Sequence, residues 1–341
     1  MKVGTFFSGV GSPEQALNNL GVKHEIEFAC DIDKYAKQTY LKNFDCKQFY
    51  TDITKLDMKD LSYVDLLVFG FPCQAFSMAG KRGGFDDTRG TLFYDALRYL
   101  KEHRPRYFIA ENVKGLLSHD NGKTFQTIID CLASTTNTQM SIMPFDNLGY
   151  HIYYKVLNTK NFGIPQNRER IFIVGIRDNE DNNFRFPKEI PLKLKLKDIL
   201  QKNYDTKYFL SEKMIAGIFK SNFRERKPIN INKVSTCLKI GGDVPCFEVT
   251  SHSLYPRSSK TKKGGTGHLS KKDGTSYCLD TGNNQAIEKH NNLRKLTPIE
   301  CERLQGFPDN HTEGVSDTQR YKQMGNTITV NVIQEIIKNL I

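Results

Sequence analysis

Apolar residues come in short runs along the first half of the chain, separated by stretches of helical period. Val3–Phe7, Glu27–Cys30, Val64–Phe69 and Tyr107–Ala110 read as strands, with Ile171–Ile176 as a further one. Helical patterns between the first four give the alternation of a parallel α/β sheet. The first unit is well punctuated. Ser12 is placed to cap a helix, with Pro13 at its first position and Gln15 three residues after the cap. Ala16, Leu17 and Leu20 form its buried stripe, and Gly21 can end it. Near the other end of the chain, Thr297-Pro298-Ile299-Glu300 spells a capping box, and Gly306 stops that short helix. Val330, Ile333, Ile336, Ile337 and Leu340 then share one face of an amphipathic helix, expected to pack back on the N-terminal part.

From about Arg185 the periodicity weakens, and Ser258–Gly274 reads as a basic, loop-rich stretch. Charge changes in the same place. Residues 185–300 carry 23 Lys and Arg against 11 Asp and Glu, whereas the rest of the chain has 26 against 27. The whole +11 excess therefore lies in one segment, as in a domain that faces a polyanion. At 341 residues the length suits two domains. No stretch reaches the ~18 apolar residues of a membrane span. The start of the chain meets Pro13-Glu14-Gln15 too soon for a signal peptide, and the eight cysteines are scattered with no C-x-x-C pair. These features point away from a membrane protein, a disulfide scaffold and a standard zinc module, and toward an intracellular chain.

Candidate chemistry sits at the ends of the predicted strands. Phe7-Ser8-Gly9-Val10-Gly11 follows the first strand, and its glycines let backbone approach a bound nucleoside. The third glycine of a dinucleotide fingerprint is absent, since Glu14 stands there. Asp31 lies 20 residues beyond Gly11 at the end of the second strand, where a carboxylate can grip ribose hydroxyls. Gly70-Phe71-Pro72-Cys73-Gln74 leaves the central strand, and a cysteine in such a turn suits a nucleophile better than a packing role. The following Ala79–Phe85 run is glycine-rich and basic, suited to closing over an anionic substrate. Glu111-Asn112-Val113 ends the next strand and offers an acid to face that nucleophile. In Gln166-Asn167-Arg168-Glu169-Arg170, alternation puts Gln166, Arg168 and Arg170 on one face, available to a carbonyl oxygen or a phosphate or to an ion pair with a carboxylate.

These motifs, in this order, resemble the C5-cytosine DNA methyltransferases, which use S-adenosylmethionine. The similarity extends through Arg89-Gly90-Thr91-Leu92-Phe93, Arg294–Cys301, Arg303–Pro308 and Gln323-Met324-Gly325-Asn326-Thr327, and spares only about 185–290. It implies a Rossmann-like α/β catalytic domain with a mostly parallel sheet (1–184 and 310–341) and a smaller, irregular, basic target-recognition domain (185–309). Cys73 would attack C6 of a flipped-out cytosine, Glu111 would protonate or hydrogen-bond N3, and Arg168 and Arg170 would lie near O2. The backbone carbonyl of Phe71 would accept from the base amino group, with Pro72, Gln74, Ser77, Arg89, Asn112 and Gln166 as further substrate contacts. Phe7, Gly9, Gly11, Asp31, Ile32, Asp52, Ile53, Leu92, Asn326 and Thr327 would hold the methyl donor. The chain departs from the family pattern at Asp31, often Glu, at Ile32, often a bulky aromatic, and at Ser12, often Gly. Arg257, Lys260, Lys262 and Lys263 are candidate DNA contacts in the basic segment. The resemblance further implies double-stranded DNA as partner, no metal and no membrane. It places a monomer in the cytoplasm of a bacterial or phage-infected cell, where a restriction endonuclease can accompany it. A long, basic recognition segment favours DNA over the tRNA used by compact relatives.

Overall fold

The computed structural model describes residues 1–71, 92–136, 139–140, 148–180, 183–211, 250–253, 269–271, 275–279, 285–289 and 292–341. Five strands come first: β1 (Lys2–Phe6), β2 (Glu25–Cys30), β3 (Cys46–Tyr50), β4 (Leu66–Gly70) and β5 (Tyr107–Val113). Helix α1 (Ser12–Leu20) joins β1 to β2, and α2 (Lys34–Asn43) joins β2 to β3. Helix α3 (Leu92–His103) precedes β5, and α4 (Lys123–Leu132) follows it. Next are β6 (Ala133–Thr136), β7 (Gln139–Met140), β8 (Tyr150–Asn158), β9 (Gln166–Asn167) and β10 (Glu169–Arg177).

The main sheet runs in the order β3-β2-β1-β4-β5-β10-β8-β6-β7. Its first five members are parallel, and β10 lies antiparallel to both β5 and β8. The central strands are buried on both faces, which is why they read as continuous apolar runs. Alternation divides their side chains between two cores. Val3, Leu66, Val68, Ile109 and Val174 meet Ala16 and Leu17 of α1 and the C-terminal helix Val330–Leu340. Phe6, Leu67, Phe69, Phe108 and Ile173 meet Phe93, Leu97 and Leu100 of α3 and Ile128 and Leu132 of α4. All five residues of the C-terminal stripe are buried, and that helix packs on the N-terminal part as its periodicity predicts.

Two local expectations resolve differently. Thr297 caps Pro298–Leu304 with its reciprocal box, Thr297 Oγ1 accepting from the Glu300 amide at 3.2 Å and Glu300 Oε2 accepting from the Thr297 amide at 2.8 Å. Ser12, by contrast, does not cap α1. Gly11 takes the cap position with a left-handed backbone (φ 85°), and Ser12 is already helical. Its hydroxyl turns instead to the far end of the chain, 2.6 Å from Thr327 Oγ1 and donating to the Ile328 carbonyl at 2.7 Å.

Beyond Arg177 the described chain packs on the first core through Phe184, Leu196, Ile199, Leu296, Leu304 and Phe307. A smaller sheet orders β12 (Leu269–Lys271), β11 (Thr250–Ser253), β14 (Gln285–Lys289) and β15 (Asn292–Lys295). One more strand, β13 (Ser276–Tyr277), runs parallel to β9 and pairs Ser276 with Gln166.

Candidate active site

The carboxyl ends of β1, β2, β4 and β5 lie side by side, and two clusters form there. The first is the turn after β1. Phe7, Gly9 and Gly11 all have positive φ (54°, 55° and 85°), so the chain folds back sharply before α1. A Cβ on Gly11 would sit 2.2 Å from Phe44 Cε2, while one on Gly9 would meet nothing within 4 Å. Gly9 thus presents open backbone, and Gly11 is a close approach. The Gly9 amide donates to Asp31 Oδ2 at 2.7 Å, and the Asp33 amide to Asp31 Oδ1 at 2.8 Å. Burial pushes the Asp31 carboxyl upward, against those two amides and Lys322. Beside it Ile32 is 81% exposed, an apolar side chain left open at a strand end. Asp52 closes its own turn, accepting from the Thr54 amide at 3.1 Å and the Thr54 hydroxyl at 2.7 Å, with Ile53 buried beneath. Leu92 begins α3 and is partly buried, Asn326 is exposed, and Thr327 is buried against Ser12.

The second cluster centres on Glu111. Its neighbours in register are Gly70 of β4 and Phe172 of β10. Gly70 has no side chain to fill the space above the strand end; a Cβ there would lie 3.5 Å from Glu111 Oε2. Arg170 Nε stands 3.1 Å from Glu111 Oε1, both side chains being largely buried. Burial pushes the Glu111 carboxyl up and outweighs the opposing pull of Arg170 and Arg168. A carboxyl so placed can hold a proton at a pH where a solvated one has lost it. Asn112, on the opposite face of β5, donates from Nδ2 to the Phe71 carbonyl at 2.8 Å and fixes the backbone two residues ahead of Cys73.

Gln166, Arg168 and Arg170 all reach Cys278 or Leu279, as a shared face requires. The strand breaks between β9 and β10, with the Arg168 amide bonded to Gln166 O and to Asn158 Oδ1. Arg170 meets Glu111, and Arg168 beside it is 3% exposed. Arg168 Nη1 donates to Cys278 Sγ, Leu279 O and Gly325 O at 3.2–3.3 Å. Its Nη2 donates to Thr327 O at 2.7 Å and to Gly325 O at 3.3 Å. Arg168 thus clamps two backbone segments, and it lies close enough to Glu111 and Arg170 for their charges to act on it. Gln166 is also buried; it donates to Leu304 O at 2.6 Å and accepts from the Leu279 amide at 3.1 Å.

The family model for C-5 cytosine-specific DNA methylases matches residues 1–341. The chain belongs to that family. It is 38% identical over 339 residues to the type II methyltransferase M.SsoII of Shigella sonnei, covering 98% of this chain and 78% of that one. It is 37% identical over 338 residues to M1.ScrFI of Lactococcus lactis subsp. cremoris, covering 98% and 76%. M.SPRI of Bacillus phage SPR is 32% identical and covers 100% of this chain and 97% of its own. Among solved structures, a Spodoptera frugiperda DNMT2 variant matches with a TM-score of 0.69 at 20% identity over 99% of both chains, which speaks to the fold.

Several expected methylase residues lie outside the described residues: Pro72, Cys73, Gln74, Ser77, Arg89, Arg257, Lys260, Lys262 and Lys263. Three contributors play parts that sequence reasoning did not assign to them. Gly70 matters for the side chain it lacks, Ser12 for a contact 315 residues away, and Cys278 for its place between Arg168 and Arg170 (3.2 and 3.8 Å). Among the described residues no helix is long and apolar enough to cross a membrane, and no His, Cys, Asp and Glu side chains cluster as a metal site.

Proposed function

We propose that this C5-cytosine DNA methylase works through a covalent adduct of Cys73 on a flipped-out cytosine, with Glu111 as the acid and Arg170 as the group that steadies both acid and base. The observation that carries this reading is the buried Glu111–Arg170 pair at 3.1 Å, opening onto Gly70, three residues ahead of Cys73. The C5 carbon of cytosine is a poor nucleophile. When the Cys73 thiolate bonds to C6, the ring electrons move toward N3, and a proton from Glu111 at N3 relieves the charge that would otherwise build there. C5 then has enamine character and accepts the methyl group. Loss of the C5 proton to a base and cleavage of the C6–S bond restore the aromatic ring and the thiolate. Arg170 is positioned to donate to O2, and the Phe71 carbonyl, oriented by Asn112, to accept from the exocyclic amine.

The loop after β1 fits S-adenosylmethionine as methyl donor. With the end of β2 beside it, it combines open backbone at Gly9, a partly exposed carboxylate at Asp31 for a ribose diol, and an exposed apolar surface at Ile32 for a flat ring. When bound, that donor supplies an electrophilic methyl on a sulfonium. Phe7, Asp52, Ile53, Leu92, Asn326 and Thr327 complete the proposed pocket. Residues 185–309 would form the target-recognition domain on a 1–184 and 310–341 catalytic body. Arg257, Lys260, Lys262 and Lys263 would contact double-stranded DNA. The enzyme would act as a monomer in the cytoplasm of a bacterial or phage-infected cell, the kind of organism its relatives come from, with any restriction endonuclease acting independently.

The test is base-resolution 5-methylcytosine sequencing of DNA from a methylation-free bacterial host expressing the chain, with Cys73→Ala and Glu111→Gln beside it. The expected result is methylation confined to one short motif, absent in Cys73→Ala and slowed about 10²–10⁴-fold in Glu111→Gln with donor binding retained. An unmethylated genome with folded protein would turn attention to tRNA.

A further inference from the structure

The donor loop leans on a side chain that the reaction leaves unused. His311 follows the helix Pro298–Leu304 and is 3% exposed. Its position is set from several sides. The Asn310 and Thr312 amides donate to the two carboxylate oxygens of buried Glu302 at 2.7 and 2.9 Å. Asn43 Nδ2, at the end of α2, donates to the His311 carbonyl at 2.9 Å. The ring lies 4.3 Å from Phe307 and 5.8 Å from Phe44, centroid to centroid, and Phe44 is the same ring that leaves Gly11 no room for a Cβ. From this seat His311 Nε2 reaches the Val10 carbonyl at 2.8 Å. A carbonyl only accepts, so the bond requires the tautomer with its proton on Nε2.

That carbonyl belongs to the peptide joining Val10 to Gly11, whose N–H donates to Ser8 O at 3.1 Å. The peptide plane is therefore held at both ends, His311 on the oxygen and Ser8 on the nitrogen. It joins buried Val10 to the left-handed Gly11, and the left-handed Gly9 comes one residue before it. Without the His311 bond the plane loses its anchor at the oxygen, and a tilt there would be passed through Val10 to the open backbone at Gly9.

We propose that His311 is a positioning residue for the methyl donor: its Nε2–H fixes the Val10–Gly11 peptide and so holds the glycine turn in the shape that binds the nucleoside. This rests on the assignment of that turn to donor binding. Titration calorimetry with S-adenosylhomocysteine, without DNA, separates the two ideas. Failure of the wild-type chain to bind would remove the assignment. With wild-type binding in hand, His311→Phe keeps a ring and loses the donor, and should weaken affinity about 5–10-fold, the scale of one hydrogen bond. His311→Gln, whose amide nitrogen can take the place of Nε2, should stay within about 3-fold of wild type on the same scale. Amide exchange adds a readout free of ligand: the Gly11 amide should lose protection in His311→Phe and keep it in His311→Gln. Should His311→Phe not fold, His311→Asn, polar but too short to reach Val10, is read in the same way. Equal affinity in wild type and the donorless variant, or Gly11 protection unchanged, overturns the proposal.

Discussion

Arg168→Lys separates a clamp from a base contact. In the structure the guanidinium makes five hydrogen bonds, to Cys278 Sγ, Leu279 O, Gly325 O twice and Thr327 O. An ammonium has three donors on one atom and lacks the planar fork, so it can keep about two of them. Hydrogen bonds to charged groups contribute about 1.5–3 kcal/mol each, and lysine recovers part of the loss, which leaves a net cost of about 3 kcal/mol. At roughly 2–4 °C per kcal/mol for a domain of some 150–250 residues, the melting temperature should fall about 6–12 °C. The assay pairs thermal unfolding with single-turnover methylation, and Arg170→Lys serves as the reference. Arg170 meets Glu111 at the pocket and is 18% exposed, so its replacement should cost rate more than stability. If Arg168→Lys melts like wild type yet loses rate as Arg170→Lys does, Arg168 touches the base and the clamp is refuted.

Three further outcomes follow from the geometry. Gly11→Ala places a Cβ 2.2 Å from Phe44 Cε2 at a φ of 85°, and should cost about 2–5 kcal/mol in chemical denaturation and abolish S-adenosylhomocysteine binding; wild-type affinity would contradict it. Glu14 is fully buried, accepts from Tyr40 and Thr5 on Oε1, and has no hydrogen-bond partner on Oε2 among the described residues; burial pushes its carboxyl above 4.5. A raised carboxyl lends stability that is full below the unfolded value and fades as pH rises through the folded one, so Glu14→Gln should gain on wild type as pH rises above the ordinary carboxylate range, and a pH-independent difference between the two would count against this. Thr329→Val removes the bonds to Thr159 Oγ1 (3.0 Å) and Gln305 Oε1 (2.8 Å) without touching either proposed pocket, and should slow methylation about 10-fold with both ligand affinities kept. An unchanged rate would sink that expectation.

What the sequence made legible follows from where each signal resides. Strands β1, β4 and β5 are buried on both faces and appear as apolar runs; β3, Cys-Lys-Gln-Phe-Tyr, is a half-exposed edge strand and leaves no such run. Glu111 was readable because an acid at the end of a buried strand is uncommon chemistry in a common place. Ser12 misled because serine before proline is a good local cap, whereas the turn's left-handed Gly11 had already taken that position. Arg168 was legible as one of a set with Gln166 and Arg170, but its backbone partners Gly325 and Thr327 lie far along the chain and left no local signal. In both cases the deciding partner, Thr327, lies more than 150 residues away.

That shared partner ties a short C-terminal segment to the N-terminal part of the chain. The donor turn follows β1, and the Glu111–Arg170 pair spans β5 and β10; β1 and β10 stand three places apart in the sheet, roughly 14 Å at about 4.8 Å per step. Methyl transfer needs its two reactants within about 3–3.5 Å and in line. The sheet alone sets only the strand spacing. Residues 325–330 add a second reference common to both sides. Ser12 at the start of α1 holds Thr327 and Ile328, and Arg168 beside β10 holds Gly325 and Thr327. Thr159 meets Thr329 after β8, and Gln305 bonds Met324 and Thr329 from behind. Shifting this segment would move the donor turn and the arginine strand relative to each other even with every pocket residue intact. On the mechanism proposed above, the precision of the reaction would be set as much by buried hydroxyls and carbonyls on a connecting segment as by the acid and the nucleophile.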